Sequence, residues 1–312
     1  MPRAMRPVRA LLRRRSLALV AFALPAGGSH AAAQSPRFLR PAEIDALPSK
    51  PADARVAYGR DSLQFGELRL PVGRGPFPVA IVIHGGCWVH AYASARNAAA
   101  LADALRDAGV ATWNVEYRRR DNPGGGWPGT LRDVGDAADS LRALARRHLL
   151  DLGRVVAVGH SAGGQLALWL AARRKLAPSS PLHAANPLPL AGVVALGAPG
   201  DLYDFNRYGD AICGPRTIPA LLGGTPEEVP DRWRDASPSS FLPLGVPQVM
   251  LAGESDRIMP RDRLDAWAAA ARAAGDSVEV TVVPNAAHHE VISPRAVTWP
   301  FVRDAVLRLV RR

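Results

Sequence analysis

Gly159-His160-Ser161-Ala162-Gly163 stands between an apolar run, RVVAVGHS, and a helix-patterned run, AGGQLALWLAAR. A serine on a tight strand-to-helix turn, fitting G-x-S-x-G, has the setting of a nucleophile. Side chains on Gly159 and Gly163 would clash within so tight a turn. Ser161 is pushed into the open at a helix amino terminus, where the dipole favours developing negative charge. A neutral serine needs a base, and the base needs a group to orient it. Asp256, in Gly253-Glu254-Ser255-Asp256-Arg257, follows a later strand-like run and is the expected acid, with Glu254 as the alternative. His288 and His289 follow the last strand-like run, and one of them is the expected base.

His84-Gly85-Gly86-Cys87-Trp88 closes an earlier apolar run. Glycines let backbone N–H groups approach an oxyanion without interference from Cβ, and donors fixed in advance contribute much of the rate of acyl transfer. Gly86, Cys87 and Ala162 are the expected oxyanion-hole donors. His84, adjoining that loop in sequence, is expected to brace it rather than act as the base. The alternative for each of these features is an ordinary glycine-rich strand end or a surface residue; their strand order favours chemistry.

These residues require an alternating scaffold. Arg55 onward reads as early antiparallel strands, RVAYG and LQFGELRLP, with Gly66 at a bend or bulge. VAIVIHGG, ATWNVEYR, RVVAVGHS, GVVALGAP, VPQVMLAGESD and VEVTVVP read as further strands. Helices are expected over Asn97–Ala108, Thr130–His148, the AGGQLALWLAAR run, Arg261–Ala274 and Pro294–Val310. Alternating strands and helices imply a mostly parallel sheet covered on both faces, hence an α/β fold. Residues 200–244, rich in Pro, Gly, Asp and aromatics, are expected to form a small cap over the carboxyl ends of the strands, where such sheets bind ligands. Residues 34–54 read as a linker draped over a catalytic domain spanning 55–312.

HGGCW, EYRRRDNPGGGWPGTLRDVGDA, VGHSAGGQLALWLAAR, LPLGVPQVMLAGESDRIMP and AAHHEVISP together resemble the feruloyl-esterase-like and kynurenine-formamidase-like (BD-FAE) group of α/β-hydrolases. The resemblance runs from about Arg55 onward. It implies the α/β-hydrolase fold, a Ser161–Asp256–His288 triad and hydrolysis of a small-molecule ester without metal or cofactor. His288 aligns with the family's base, and His289 takes a place where an aromatic residue is usual. Cys87 stands where a bulkier residue is common. The resemblance also makes Trp88, Trp127 and His289 candidates for substrate contact; for Trp127, a place in the core is the alternative. An arylformamidase fits the same motifs, though its cytosolic substrate sits poorly with the basic leader. A serine peptidase of the prolyl-oligopeptidase-like kind normally carries a propeller, for which this chain is too short. A catalytically silent binding protein would be expected to have lost one triad member.

Hydrophobic residues make up 48% and charged residues 21% of the 312-residue chain, which excludes disorder for its bulk. Six of the eleven excess positive charges are arginines before Ala33, a stretch without acids; the remaining +5 is scattered, without basic blocks interleaved with aromatics. That pattern argues against nucleic-acid binding. The leader (residues 1–33) reads as a signal peptide: a basic start, the apolar run Ser16–Leu24, helix breakers, then Ala31-Ala32-Ala33 for cleavage. Arg14-Arg15-Ser16-Leu17 partly matches a twin-arginine signal. Export to the periplasm or medium follows, and no other segment reads as a membrane span. The two cysteines, Cys87 and Cys213, could pair in an exported protein, but spacing leaves this open.

Overall fold

The structure, a computed structural model, describes residues 1–2 and 37–311. Nearly all of the expected signal segment lies outside the described residues. One sheet of eight strands, in the order β1-β2-β4-β3-β5-β6-β7-β8, forms the frame. β1 (Ala54–Ala57) and β2 (Phe65–Arg69) run antiparallel, and β2 also pairs antiparallel with β4 (Ala111–Val115). From β4 the sheet is parallel through β3 (Phe77–Ile83), β5 (Leu150–His160), β6 (Gly192–Leu196), β7 (Gln248–Gly253) and β8 (Val278–Val283).

The apolar runs suit strands covered on both faces, and the two-residue strand period splits them between two cores. Val79, Ile81 and Ile83 of β3 pack with residues from α3 (Gly129–Ala145), α4 (Ala162–Ala172) and α9 (Arg261–Ala273). Ala80 and Val82 face the other way, in the core built with α2 (Ala95–Asp107) and α10 (Trp299–Val310). α4 is buried along its whole length, as its Ala, Gly and Leu content implies. The expected helix over Pro294–Val310 begins only at Trp299, with turns before it.

One early expectation needs correction. Gly66 is no bulge: it holds regular register, opposite Val56 and Val115. A Cβ there would lie 2.4 Å from the Trp113 ring, so close packing is the reason for glycine. Within residues 34–54, the described part is docked on the domain. It forms α1 (Pro41–Asp45), with Ile44 only 1% exposed in the core beside α2. A single core Ile and a set of polar ties are too sparse to give a periodic signal.

Residues 200–244 form the expected cap of short helices: α5 (Leu202–Phe205), α6 (Asp210–Cys213), α7 (Thr217–Leu222) and α8 (Pro230–Ala236). Cys213 of the cap is disulfide-bonded to Cys87, with Cα atoms 5.5 Å apart across 126 residues of chain. A cross-link closing so long a loop restricts the unfolded chain strongly. Reduction or Cys213→Ser is therefore expected to lower stability by about 2–5 kcal/mol, read from urea unfolding with and without reductant.

Candidate active site

Ser161 joins β5 to α4 with φ 52° and ψ −122°. A non-glycine residue in that region is strained by about 1–3 kcal/mol and needs surroundings that enforce it. Those surroundings are visible. A Cβ on Gly159 would come within 2.1 Å of the Gly163 carbonyl oxygen, and one on Gly163 within 2.2 Å of the Ile83 carbonyl oxygen. The turn is thus wedged against the end of β3, from which the His84-Gly85-Gly86 loop departs. The Ser161 N–H donates to Leu196 O at 2.8 Å, fixing the turn to β6.

Asp256 and His288, which follow β7 and β8, are brought together. His288 Nδ1 lies 2.8 Å from Asp256 Oδ2, and both residues are buried. The other carboxylate oxygen accepts N–H groups from Ile258 (2.8 Å) and Met259 (2.9 Å), which fixes its direction. Glu254, the alternative acid, is solvent-exposed. Gly197 sits beneath the pair: a Cβ there would lie 2.8 Å from Asp256 Oδ2 and 3.0 Å from His288 Nδ1. Ser161 and His288 face a shared cavity of about 160 Å³, with Gly86, Cys87, Tyr92, Asn97, Ile212 and His289 among its walls.

The loop after β3 carries consecutive left-handed residues, Gly86 (φ 98°), Cys87 (φ 52°) and Trp88 (φ 54°). Among the described residues, no backbone carbonyl accepts the N–H of Gly86, Cys87 or Ala162. Ala162, as the first residue of α4, has no acceptor within its helix. His84 is buried and stacked on Tyr117, ring centroids 4.4 Å apart. Its Nδ1 lies 2.9 Å from Gly85 O and its Nε2 3.1 Å from Glu116 Oε1, a bracing arrangement. Burial alone would raise the Glu116 carboxyl, but His84 and Arg119 outweigh it and hold it down to about 2.

Neither tryptophan expected to contact substrate lines this cavity. Trp88 is 1% exposed and packs edge-on against Phe205 of the cap, ring centroids 6.0 Å apart, so it anchors the loop. Trp127 is half-buried; its backbone N–H donates to Leu221 O at 2.8 Å, and it packs against the core between α7 and the start of α3. A large aromatic next to a motif is as useful for packing as for binding, and sequence does not separate the two uses. His289 does line the cavity.

Sequence reasoning gave no role to His160. Its Nε2–H donates to the backbone carbonyl of His288 at 2.9 Å, and its ring lies 4.5 Å from that of His288. Burial, then the neighbouring His288 and His289, pushes His160 well below the ordinary histidine range. Burial, then His288, lowers His289 from 6.5 to about 4. The sign of the pH effect follows. Below about 6.5 the unfolded chain binds protons that these two folded histidines refuse, so stability falls as pH drops towards 4. Thermal melts from pH 7 to 4.5 are expected to show a smaller loss for His289→Phe than for the wild type.

The sheet order, the strained serine turn between β5 and α4, and the Asp–His pair after β7 and β8 define an α/β-hydrolase fold. Within it the chain belongs to the BD-FAE family, whose model matches residues 68–268. It is 27% identical to esterase LipC of Mycobacterium tuberculosis over 265 residues, 82% of this chain and 64% of that protein, so the match spans less than two thirds of this relative. Among solved structures it resembles the bifunctional GH43-CE of Bacteroides eggerthii (TM-score 0.68, 22% identity, 83% of this chain and 38% of that one). It also resembles the phosphonate-inhibited esterase B of Lactobacillus rhamnosis (TM-score 0.71, 18% identity, 86% and 89%). These structural likenesses concern the fold. No helix among the described residues is long and apolar enough to cross a membrane.

Proposed function

We propose that the protein is a serine hydrolase that cleaves a small carboxylic ester through an acyl-enzyme on Ser161. The observation that carries this reading is the buried His288–Asp256 pair, 2.8 Å apart, opening onto the same cavity as the strained Ser161. His288 Nε2 takes the proton from Ser161 Oγ as the oxygen attacks the ester carbonyl. Asp256 accepts the Nδ1–H, which holds the tautomer and stabilises the imidazolium. The Gly86, Cys87 and Ala162 N–H groups receive the oxyanion. Collapse of the tetrahedral intermediate expels the alcohol, protonated by His288. Water, activated by the same imidazole, then attacks the acyl-enzyme and releases the acid.

Membership of the BD-FAE family and the likeness to esterase LipC support the ester class. The test is a chromogenic ester panel of graded acyl length, run beside formamide and feruloyl substrates. Ester turnover is expected; strong formamide turnover with no ester turnover overturns the reading in favour of an arylformamidase.

Export belongs to the same reading. The leader has the anatomy of a signal peptide, and the Cys87–Cys213 disulfide suits an oxidising compartment. Mass spectrometry of the native protein is expected to find an amino terminus near Gln34 and the protein outside the cytoplasm. An intact basic leader in a cytosolic fraction contradicts export.

A further inference from the structure

Arg37–Asp45 precedes the span matched by the family model, which starts at Leu68, yet it reaches the candidate site. Pro41 is one of the residues lining the cavity that holds Ser161 and His288. Phe38 and Leu39 line an adjoining, wider depression together with Asp256, His288 and His289. The segment is fixed at both ends. At its far end Ile44 is in the core, Asp45 Oδ1 accepts from Asn97 Nδ2 at 3.0 Å, and Arg96 Nε donates to Asp45 O at 2.9 Å. Asn97 itself lines the cavity.

At its near end the segment is held by Glu290, a carboxylate only 6% exposed. One carboxylate oxygen accepts the Leu39 N–H; the other accepts the N–H of Ala287, next to His288, at 2.9 Å. A buried carboxylate is tolerable when charge-assisted hydrogen bonds satisfy it, and here its two partners are this segment and the loop bearing the base. The proline ring offers no N–H and has a fixed φ, so Pro41 presents a rigid apolar surface.

We propose that Arg37–Asp45 is a fixed wall of the substrate site, with Pro41 setting the size of the group accommodated and Glu290 joining that wall to the His288 loop. The proposal rests on the hydrolase reading above. Glu290 is a positioning residue; it acts through the Leu39 and Ala287 amides and touches no reacting atom.

The size claim is read from ester series graded separately in the acyl and the alcohol part, as the ratio of kcat/KM for a small to a large member. Pro41→Trp is expected to raise that ratio in one series and Pro41→Gly to lower it, each by roughly tenfold, the discrimination that a methylene or two provides in a tight pocket. Ratios equal to wild type in both variants overturn the wall. The anchor is read by amide hydrogen exchange on the full protein. In Glu290→Ala the Leu39 and Ala287 amides are expected to lose protection together, while the β3 and β5 amides keep theirs; Glu290→Gln, which retains one acceptor, keeps part of it. Protection of both amides retained in a folded Glu290→Ala overturns the anchor. Wild type without turnover on any ester overturns the hydrolase reading and the size claim with it. The exchange result decides the anchor separately.

Discussion

Ser161→Ala is expected to reduce kcat/KM on an ester by roughly three orders of magnitude or more, with the fold retained. The size of the effect comes from chemistry that no neighbour can replace. Alanine removes only the hydroxyl, and the strained backbone of the turn is set by Gly159 and Gly163, so the site keeps its shape. The cavity and the backbone N–H groups proposed to receive the oxyanion survive, which leaves a small residual rate with water as nucleophile. Ground-state binding should change little, so most of the loss falls in kcat. Near wild-type turnover by a folded Ser161→Ala would exclude this serine as the nucleophile.

His288→Ala is expected to be nearly as damaging, and His289→Ala much less so. The two histidines are neighbours in the chain, but only His288 is bonded to Asp256. Their rings meet at 73°, and His289 lines the cavity without a partner for its Nδ1 among the described residues. With its pKa lowered to about 4 by burial and by His288, which outweigh the opposing charge of Asp256, His289 is neutral near pH 7, and among the described residues it is hydrogen-bonded to no carboxylate. His160 is likewise neutral and is engaged by its Nε2–H to the His288 carbonyl. Neither His289 nor His160 is therefore expected to add a limb of its own to the kcat/KM profile near neutral pH. Steady-state kinetics with folding confirmed by circular dichroism decides the matter. An inactive His289→Ala beside an active His288→Ala reverses the assignment, and two active variants remove the triad.

The central features of the site were legible because each has a steric or electronic requirement written in residue types. Gly159 and Gly163 mark a turn with no room for Cβ, and the order of Ser161, Asp256 and His288 follows the order of strands that brings their loops to one edge. The sheet was legible for a related reason: runs such as Val79–Ile83 suit burial on both faces. What remained hidden depends on distance in the chain. The partner of Cys87 lies 126 residues away in the irregular cap, where no periodicity predicts proximity. The docking of Arg37–Asp45 rests on Glu290, 251 residues from Leu39, and on one buried Ile44. The family resemblance makes Trp88 a candidate for substrate contact, but its indole is buried against Phe205, a packing use that a motif does not separate from binding. His160 carries no sequence signal because its hydrogen-bond partner, the backbone carbonyl of His288, lies 128 residues away.

Covalent trapping decides whether Ser161 is a nucleophile activated by His288. The wild-type protein is incubated with a fluorophosphonate, digested, and the adduct located by tandem mass spectrometry. One phosphonyl group per chain, on Ser161, is the expected result, with labelling blocked by a competing ester and lost in His288→Ala. An active enzyme that stays unlabelled, or that carries the phosphonyl group on a residue other than Ser161, would rule out Ser161 as the nucleophile.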